Sequence, residues 1–234
     1  MKGYGQFCPV AKAAEILAER WTPLVLRELT CGSTRFNDLR RGVPLMSSSL
    51  LSQRLKFLEQ EGVIERRAAG PGRGFEYHLT DAGRELAPLI NTMGEWGARW
   101  VRSRLGPEEL DVGLLMWDMQ RCVRPTNLPP RRVVVAFEYT DLPPRKRRHW
   151  WLVCEGSETD LCLTDPGFEV DLFIATDLRT MTAVWMGDIA LRSAMASGAL
   201  EVQGPAELRR RLADWLGLSA FAPVKDMRPA PLRA

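Results

Sequence analysis

The sequence predicts an α+β protein in two parts: a mostly helical first part with one short ribbon, and a second part in which strands precede helices. Three observations carry that expectation. Residues 47–62 form an amphipathic stretch bounded by its own start and stop signals. Two β-prone runs, 63–67 and 75–79, flank a loop rich in glycine. Beyond Gly106-Pro107 the pattern changes to β-branched and aromatic runs of strand length, and strands followed by helices mark an α+β domain.

The stretch at 47–62 predicts a helix. Ser47 is suited to cap its first turn, Leu51, Leu55 and Leu58 recur on one face, and Gly62 supplies a left-handed stop. The opposite face carries Ser48, Ser49, Ser52, Gln53 and Lys56. These are short or adaptable hydrogen-bonding side chains of the kind that meet base edges and phosphates in a DNA major groove. On an isolated helix such a face is ordinarily just solvated, so its neighbours decide the reading. Upstream, Thr34 to Gly42 reads as a short capped helix ending in glycine, and Val43-Pro44 as a turn, which together make a helix-turn-helix. Downstream, the two β-prone runs pair into a wing, with Arg73 at its tip and Arg66 and Arg67 within reach of phosphates.

The remaining first-half helices read as scaffold. Cys8-Pro9 opens one helix, with Val10, Ala13, Ile16 and Leu17 as its apolar stripe, and a thiol at a helix N-terminus is a redox candidate. Thr22-Pro23 opens the next, Trp21 serving as a core anchor. Thr80 caps a long helix in which Leu86, Ile90, Met93, Gly97 and Trp100 recur, widened by Leu89 and Trp96 and kinked at Pro88. So much apolar surface needs a cover. Either the second part or a second chain supplies it, and a dimer is favoured, because two recognition helices about 34 Å apart read a palindrome.

The runs Cys8-Pro-Val-Ala-Lys, Glu19-Arg20-Trp21-Thr22, Leu26-Arg27-Glu28-Leu29, Arg35-Phe36-Asn37-Asp38-Leu39, Leu51-Ser52-Gln53-Arg54-Leu55, Leu58-Glu59-Gln60-Glu61-Gly62 and Tyr77-His78-Leu79-Thr80-Asp81-Ala82-Gly83 resemble, in order, the HxlR family. These are dimeric winged helix-turn-helix regulators related to the MarR group. The resemblance spans roughly residues 6–100. It implies double-stranded promoter DNA as partner, with Ser48, Ser49, Ser52, Gln53 and Lys56 on the recognition helix and Arg66, Arg67 and Arg73 at the wing in contact; Arg35 and Ser47 are further DNA-binding candidates. It also implies a homodimer and, as in some relatives, a redox or electrophile switch at the Cys8 position.

Composition sets bounds. Of 234 residues, 45% are hydrophobic and 26% charged, which is ordinary for a soluble protein. No membrane-spanning run or signal peptide is read, so a cytoplasmic protein without membrane insertion is expected. Residues 1–105 carry 16 basic against 11 acidic side chains, and the remainder 16 against 18. A basic first half fits nucleic acid. Five scattered cysteines give neither a metal-ligand pattern nor a disulfide framework.

The domain boundaries read as 1–105 for the DNA-binding and dimerisation domain, 106–225 for a ligand-sensing α+β domain, and 226–234 for a loose tail. In the second domain a helix is expected over 108–123. Strands follow at 133–139, 150–154, 160–164, 170–176 and 200–202, with two short helices capped by Asp177 and Asp188 and a closing helix over 207–216. Only His78 and His149 are present, with no nucleophile motif, phosphate loop or carboxylate pair beside them, so an enzyme is not expected and no cofactor or metal is called for. Met116, Trp117, Trp151, Trp185, Met186 and Met195 are either core filling or the lining of an apolar pocket. Residues 128–217, through Val170-Asp171-Leu172, Val184-Trp185-Met186-Gly187-Asp188 and Ser197 to Gly204, resemble the sterol-carrier-protein fold. That resemblance implies a cavity between sheet and helices for a hydrophobic, lipid-like effector.

The resulting expectation is a homodimeric transcriptional regulator with a hydrophobic-effector domain. One alternative keeps the regulator but switches it at Cys8, with a purely structural second domain. Another is a lipid carrier or scaffold whose winged part contacts protein.

Overall fold

The computed structural model describes residues 3–72, 74–101, 106–143 and 145–224. Arg73 and the tail at 226–234, both singled out above, lie outside the described residues. The chain divides into two units, Met1–Gly97 and Ala98–Ala234.

The first unit runs α1 (Pro9–Leu17), α2 (Thr22–Thr30), α3 (Phe36–Gly42), α4 (Ser48–Gln60), β1 (Ile64–Ala68), β2 (Phe75–Leu79) and α5 (Asp81–Trp100), the division falling in the last turn of α5. The strands form an antiparallel ribbon in the register Ile64↔Leu79 to Ala68↔Phe75. Val25, Leu26, Leu39, Met46, Leu51, Leu55, Leu58 and Ile64 make its core. Thr80 heads α5: its hydroxyl accepts from the Gly83 amide at 3.2 Å and lies 2.6 Å from the Gly62 carbonyl.

Several local expectations are corrected here. Trp21, not Thr22, precedes α2, in a left-handed conformation (φ 76°), the one such non-glycine among the described residues. Thr22 is fully buried instead. Trp21 is only half-buried, packing on the core beneath the Arg20 guanidinium at 5.5 Å. The apolar stripe of α1 is split: Ile16 and Leu17 pack on the core, while Ala13 is exposed and Val10 is 75% exposed. Nine residues give α1 barely two and a half turns, too short for its first turn to reach the core its last turn meets.

The second unit is α+β. After a 3-10 turn at Pro107–Glu109 come α6 (Val112–Cys122), β3 (Val133–Tyr139), β4 (His149–Glu155), β5 (Glu158–Cys162), β6 (Leu172–Thr176), α7 (Leu178–Trp185), α8 (Leu191–Ala196), β7 (Leu200–Gln203), α9 (Ala206–Arg210) and α10 (Leu212–Leu216). The sheet order is β5-β4-β3-β6-β7, with β3 and β6 parallel and the other pairs antiparallel. The helix expected from 108 starts at Val112, because the Asp111 carboxylate accepts from the Leu114 amide at 2.8 Å and caps it there. Asp177 does cap α7, at 2.8 Å from the Thr180 amide. Asp188 does not cap α8, whose first turn is preceded by Ala190. The closing helix is broken into α9 and α10 at Arg211.

Helices α6 to α10 cover one face of this sheet. Met116, Met119, Phe137, Tyr139, Trp150, Leu152, Ile174, Met181 and Trp215 fill the space between. Met116 belongs to this filling: it is fully buried and its sulfur accepts the Tyr139 hydroxyl at 3.0 Å. Burial in that environment pushes the Tyr139 phenol well above its ordinary pKa. Trp151 lies on the other face, since side chains alternate along a strand and Trp150, Leu152 and Cys154 face the helices. It cannot share a cavity with Met116. Trp185 and Met195 are half-buried against the core, Met186 is half-buried, and Trp117 is buried beneath the Arg121 guanidinium at 5.4 Å.

Candidate nucleic-acid interface

The arrangement starts with how α4 is held. Ser47 opens it, its hydroxyl accepting from the Leu50 amide at 3.3 Å, and Gly62 closes it at φ 70°, a conformation only glycine adopts freely. The inner face is Leu51, Arg54, Leu55 and Leu58, all buried. Arg54 is the unexpected member. Its guanidinium reaches Glu19 at 3.2 Å and lies 5.6 Å from the Phe57 ring, so a charge on the packed side is matched rather than stranded.

A second buried charge fixes the helix before it. Glu28 on α2 is fully buried, taking Arg27 at 2.7 Å and the Ser33 hydroxyl at 3.2 Å. The same Arg27 guanidinium donates to the Gly42 carbonyl at 3.0 Å, gripping the end of α3. A side chain at Gly42 would collide with Glu28, because a Cβ there would stand 1.8 Å from its Cδ. The wing is fastened to the same frame. Tyr77 donates its amide to the Thr34 carbonyl at 2.8 Å, and Arg35 bridges to Glu76.

On this frame Ser47, Ser48, Ser49, Ser52, Gln53 and Lys56 are all exposed. They are not equally available. The Ser47 hydroxyl is occupied by capping, and Ser52 donates to the Ser48 carbonyl at 3.0 Å, leaving its lone pairs open. Gln53 and Lys56 have no side-chain partner among the described residues. Arg35, Arg66 and Arg67 are exposed too, but each stands beside a carboxylate. Arg35 lies 3.5 Å from Glu76 and Arg66 3.8 Å from Glu59, while Arg67 pairs with Glu65. Arg66 also stacks on Phe75 at 4.3 Å. Sequence reading missed these three carboxylates. For Arg67 the signal was present, since Glu65 is two residues away on the same strand face; the other two pairs join separate elements and had none.

The model of the HxlR-like helix-turn-helix family matches residues 16–104. The HTH-type transcriptional regulator YvaP of Bacillus subtilis (strain 168) is 40% identical over 99 residues, 41% of this chain and 91% of that protein. The chain belongs to the HxlR-like helix-turn-helix family. A second relative is the HTH-type transcriptional regulator YdeP of the same organism, 36% identical over 95 residues, 40% of this chain and 73% of that protein. Among solved structures, the reduced form of the transcriptional regulator YodB from B. subtilis is 31% identical, with 39% of this chain and 92% of that chain covered and a TM-score of 0.35. The HxlR-like match ends at residue 104, ahead of the five-stranded sheet.

This HxlR-like chain is thus a transcription regulator with a helix-turn-helix DNA-binding domain. Cys8 stands at the N-terminus of α1, half-buried, and it, Cys154 and Cys162 are free thiols. No helix among the described residues is long and apolar enough to cross a membrane.

Proposed function

We propose that the protein is a homodimeric regulator that reads a palindromic promoter site. Gln53 and the serines of α4 supply sequence choice, and Arg35, Lys56, Arg66, Arg67 and Arg73 engage phosphate. The observation that carries this reading is the outward polar face of α4: six polar side chains, Ser47 to Lys56, exposed on a helix whose other side is locked into the core. Base edges are read by such side chains, while arginines at the margin set register. Dimerisation is supported by the outer stripe of α5, where Leu89, Met93, Trp96 and Trp100 are 55, 57, 57 and 43% exposed. The second unit is proposed as a sensor of a hydrophobic effector. Its support is a sheet backed on one face by helices rich in Met and Trp, with Trp185 and Met195 at the margin of that core.

The test is duplex binding followed against ionic strength. A regulator of this kind loses affinity log-linearly with salt, in proportion to the phosphates it neutralises. Absence of duplex binding at low ionic strength overturns the reading.

A further inference from the structure

Apart from the polar face of α4, the first unit has a cleft of about 430 Å³ between the N-terminal arm, α1 and the last turn of α4, within the range of small-molecule sites. Tyr4, Ile16 and Phe57 give it an apolar and aromatic wall; Glu15, Glu19 and Glu61 give it three carboxylates. Lys12 is the one cation among the described residues that line it. We infer that this cleft binds an amphipathic organic cation, an aryl- or alkylammonium, and that its occupancy bears on the recognition helix.

The charge balance selects the ligand. Glu15 is already engaged, accepting the Tyr4 amide at 2.8 Å and Lys12 at 3.2 Å, and it holds the arm against α1. Glu19 takes Arg54 at 3.2 Å. Glu61, at the C-cap of α4, is exposed and has no side-chain partner among the described residues. It adds its charge to the negative end of the helix dipole. With Glu15 and Glu19 already paired, an anion entering here still meets the uncompensated Glu61 carboxylate and a helix C-terminus. A neutral apolar ligand would strip water from those carboxylates without replacing it. A cation does neither, and the aromatic Phe57 and Tyr4 in the lining suit the organic part of such a ligand.

The consequence for DNA rests on the regulator reading; the binding itself does not. Arg54 is 9% exposed and its Nε is buried without a partner, so Nη2 to Glu19 is its one ionic hold among the described residues. A ligand ammonium competing for Glu19 loosens the tie between α4 and the turn after α1. The recognition helix then moves against its frame, and duplex affinity falls.

The test uses full-length protein without DNA, titrated with 3-phenylpropylammonium and read by amide NMR. The expected result is saturable shifts at Glu15, Phe57 and Glu61, with 3-phenylpropanoate roughly tenfold weaker. Glu61→Gln should weaken the ammonium roughly three- to fivefold, and Phe57→Leu should weaken it while preserving the apolar wall. Equal binding of the carboxylate, shifts confined to other residues, or an unchanged affinity in Glu61→Gln overturns the site. The same ammonium is then added to a protein–duplex complex. Loss of duplex affinity in wild type that needs roughly three- to fivefold more ammonium in Glu61→Gln supports the coupling, and no loss in either, or equal sensitivity in both, overturns it. Failure to bind duplex at all rejects the regulator reading while leaving the cleft result standing.

Discussion

Arg35 before α3 and Glu76 on β2 stand opposite each other in an isolated β-bridge, their side chains 3.5 Å apart. The other oxygen of Glu76 lies 3.3 Å from His78 Nε2. One carboxylate therefore joins the start of α3 to the wing and holds down Arg35, a cation proposed to engage phosphate.

Glu76→Gln should release that cation. At low ionic strength duplex affinity is expected to rise a few-fold on every sequence, and the slope of log K against log salt to steepen by about one. Fluorescence anisotropy across a salt series checks this. An unchanged slope would mean Arg35 never reaches the backbone.

Gln53 and Arg67 should fail differently. Gln53→Ala removes an unpartnered amide from the outer face of α4 and is expected to cost about 1–3 kcal/mol of discrimination between good and mismatched sites. Arg67→Ala should weaken all sites alike and reduce the salt slope by about one. Competition binding with matched and scrambled duplexes separates the two, and equal loss of discrimination from both would contradict the division of labour.

What was legible in the sequence follows from what periodicity encodes. Ser47, Leu51, Leu55, Leu58 and Gly62 announce α4 because capping and a 3.6-residue repeat are local properties. Glu28 and Arg54 were not legible as core residues, because burial of a charge depends on groups brought in from elsewhere in the fold: Ser33 and the close approach of Gly42 for one, Glu19 for the other. The run Trp150-Trp151-Leu152-Val153-Cys154 hid its own alternation, since both faces of β4 are apolar, and Trp151 was grouped with residues across the sheet. Glu59 beside Arg66 escaped notice for the same reason as Glu28, since it lies on α4, whereas Glu65 beside Arg67 was within reach on the same strand.

The Glu28–Gly42 contact predicts a steric penalty. Gly42→Ala places a methyl where the Glu28 carboxylate sits, and the expected cost is about 1–3 kcal/mol. Glu28→Gln, which leaves the partly exposed Arg27 without its countercharge, should cost about 1–3 kcal/mol. Native-state hydrogen exchange at α2 and α3 amides reports both, and wild-type protection in either variant would refute the idea that Glu28 and Arg27 fasten the end of α3 to α2.

Glu15 makes the arm pH-sensitive. The Tyr4 amide and then Lys12 hold its carboxyl below the ordinary 4.5. A carboxylate whose folded pKa is depressed contributes above its unfolded pKa, and the contribution is lost as pH falls through the folded value. Exchange protection of the Tyr4 amide should therefore hold at neutral pH and vanish below the ordinary carboxylate range. In Glu15→Gln the protection should be weak at every pH, and a retained pH step there would assign the effect to another group.

The outer stripe of α5 yields the prediction with the widest reach. Leu89, Met93, Trp96 and Trp100 repeat at helical spacing and all remain exposed, whereas Leu86 and Ile90 of the same helix pack on the winged core. Each such aromatic hides on the order of 150–250 Å² when covered, so two copies meeting along this stripe gain far more than scattered surface contacts supply. Trp96→Glu puts a charge where that contact is driest. Sedimentation velocity should show a monomer with unchanged circular dichroism. Palindrome binding should fall toward the level of a single half-site, because two linked recognition helices bind with an effective concentration that one cannot reach. If Trp96→Glu stays dimeric, the stripe faces something else, and Met93→Asp should likewise leave the assembly intact.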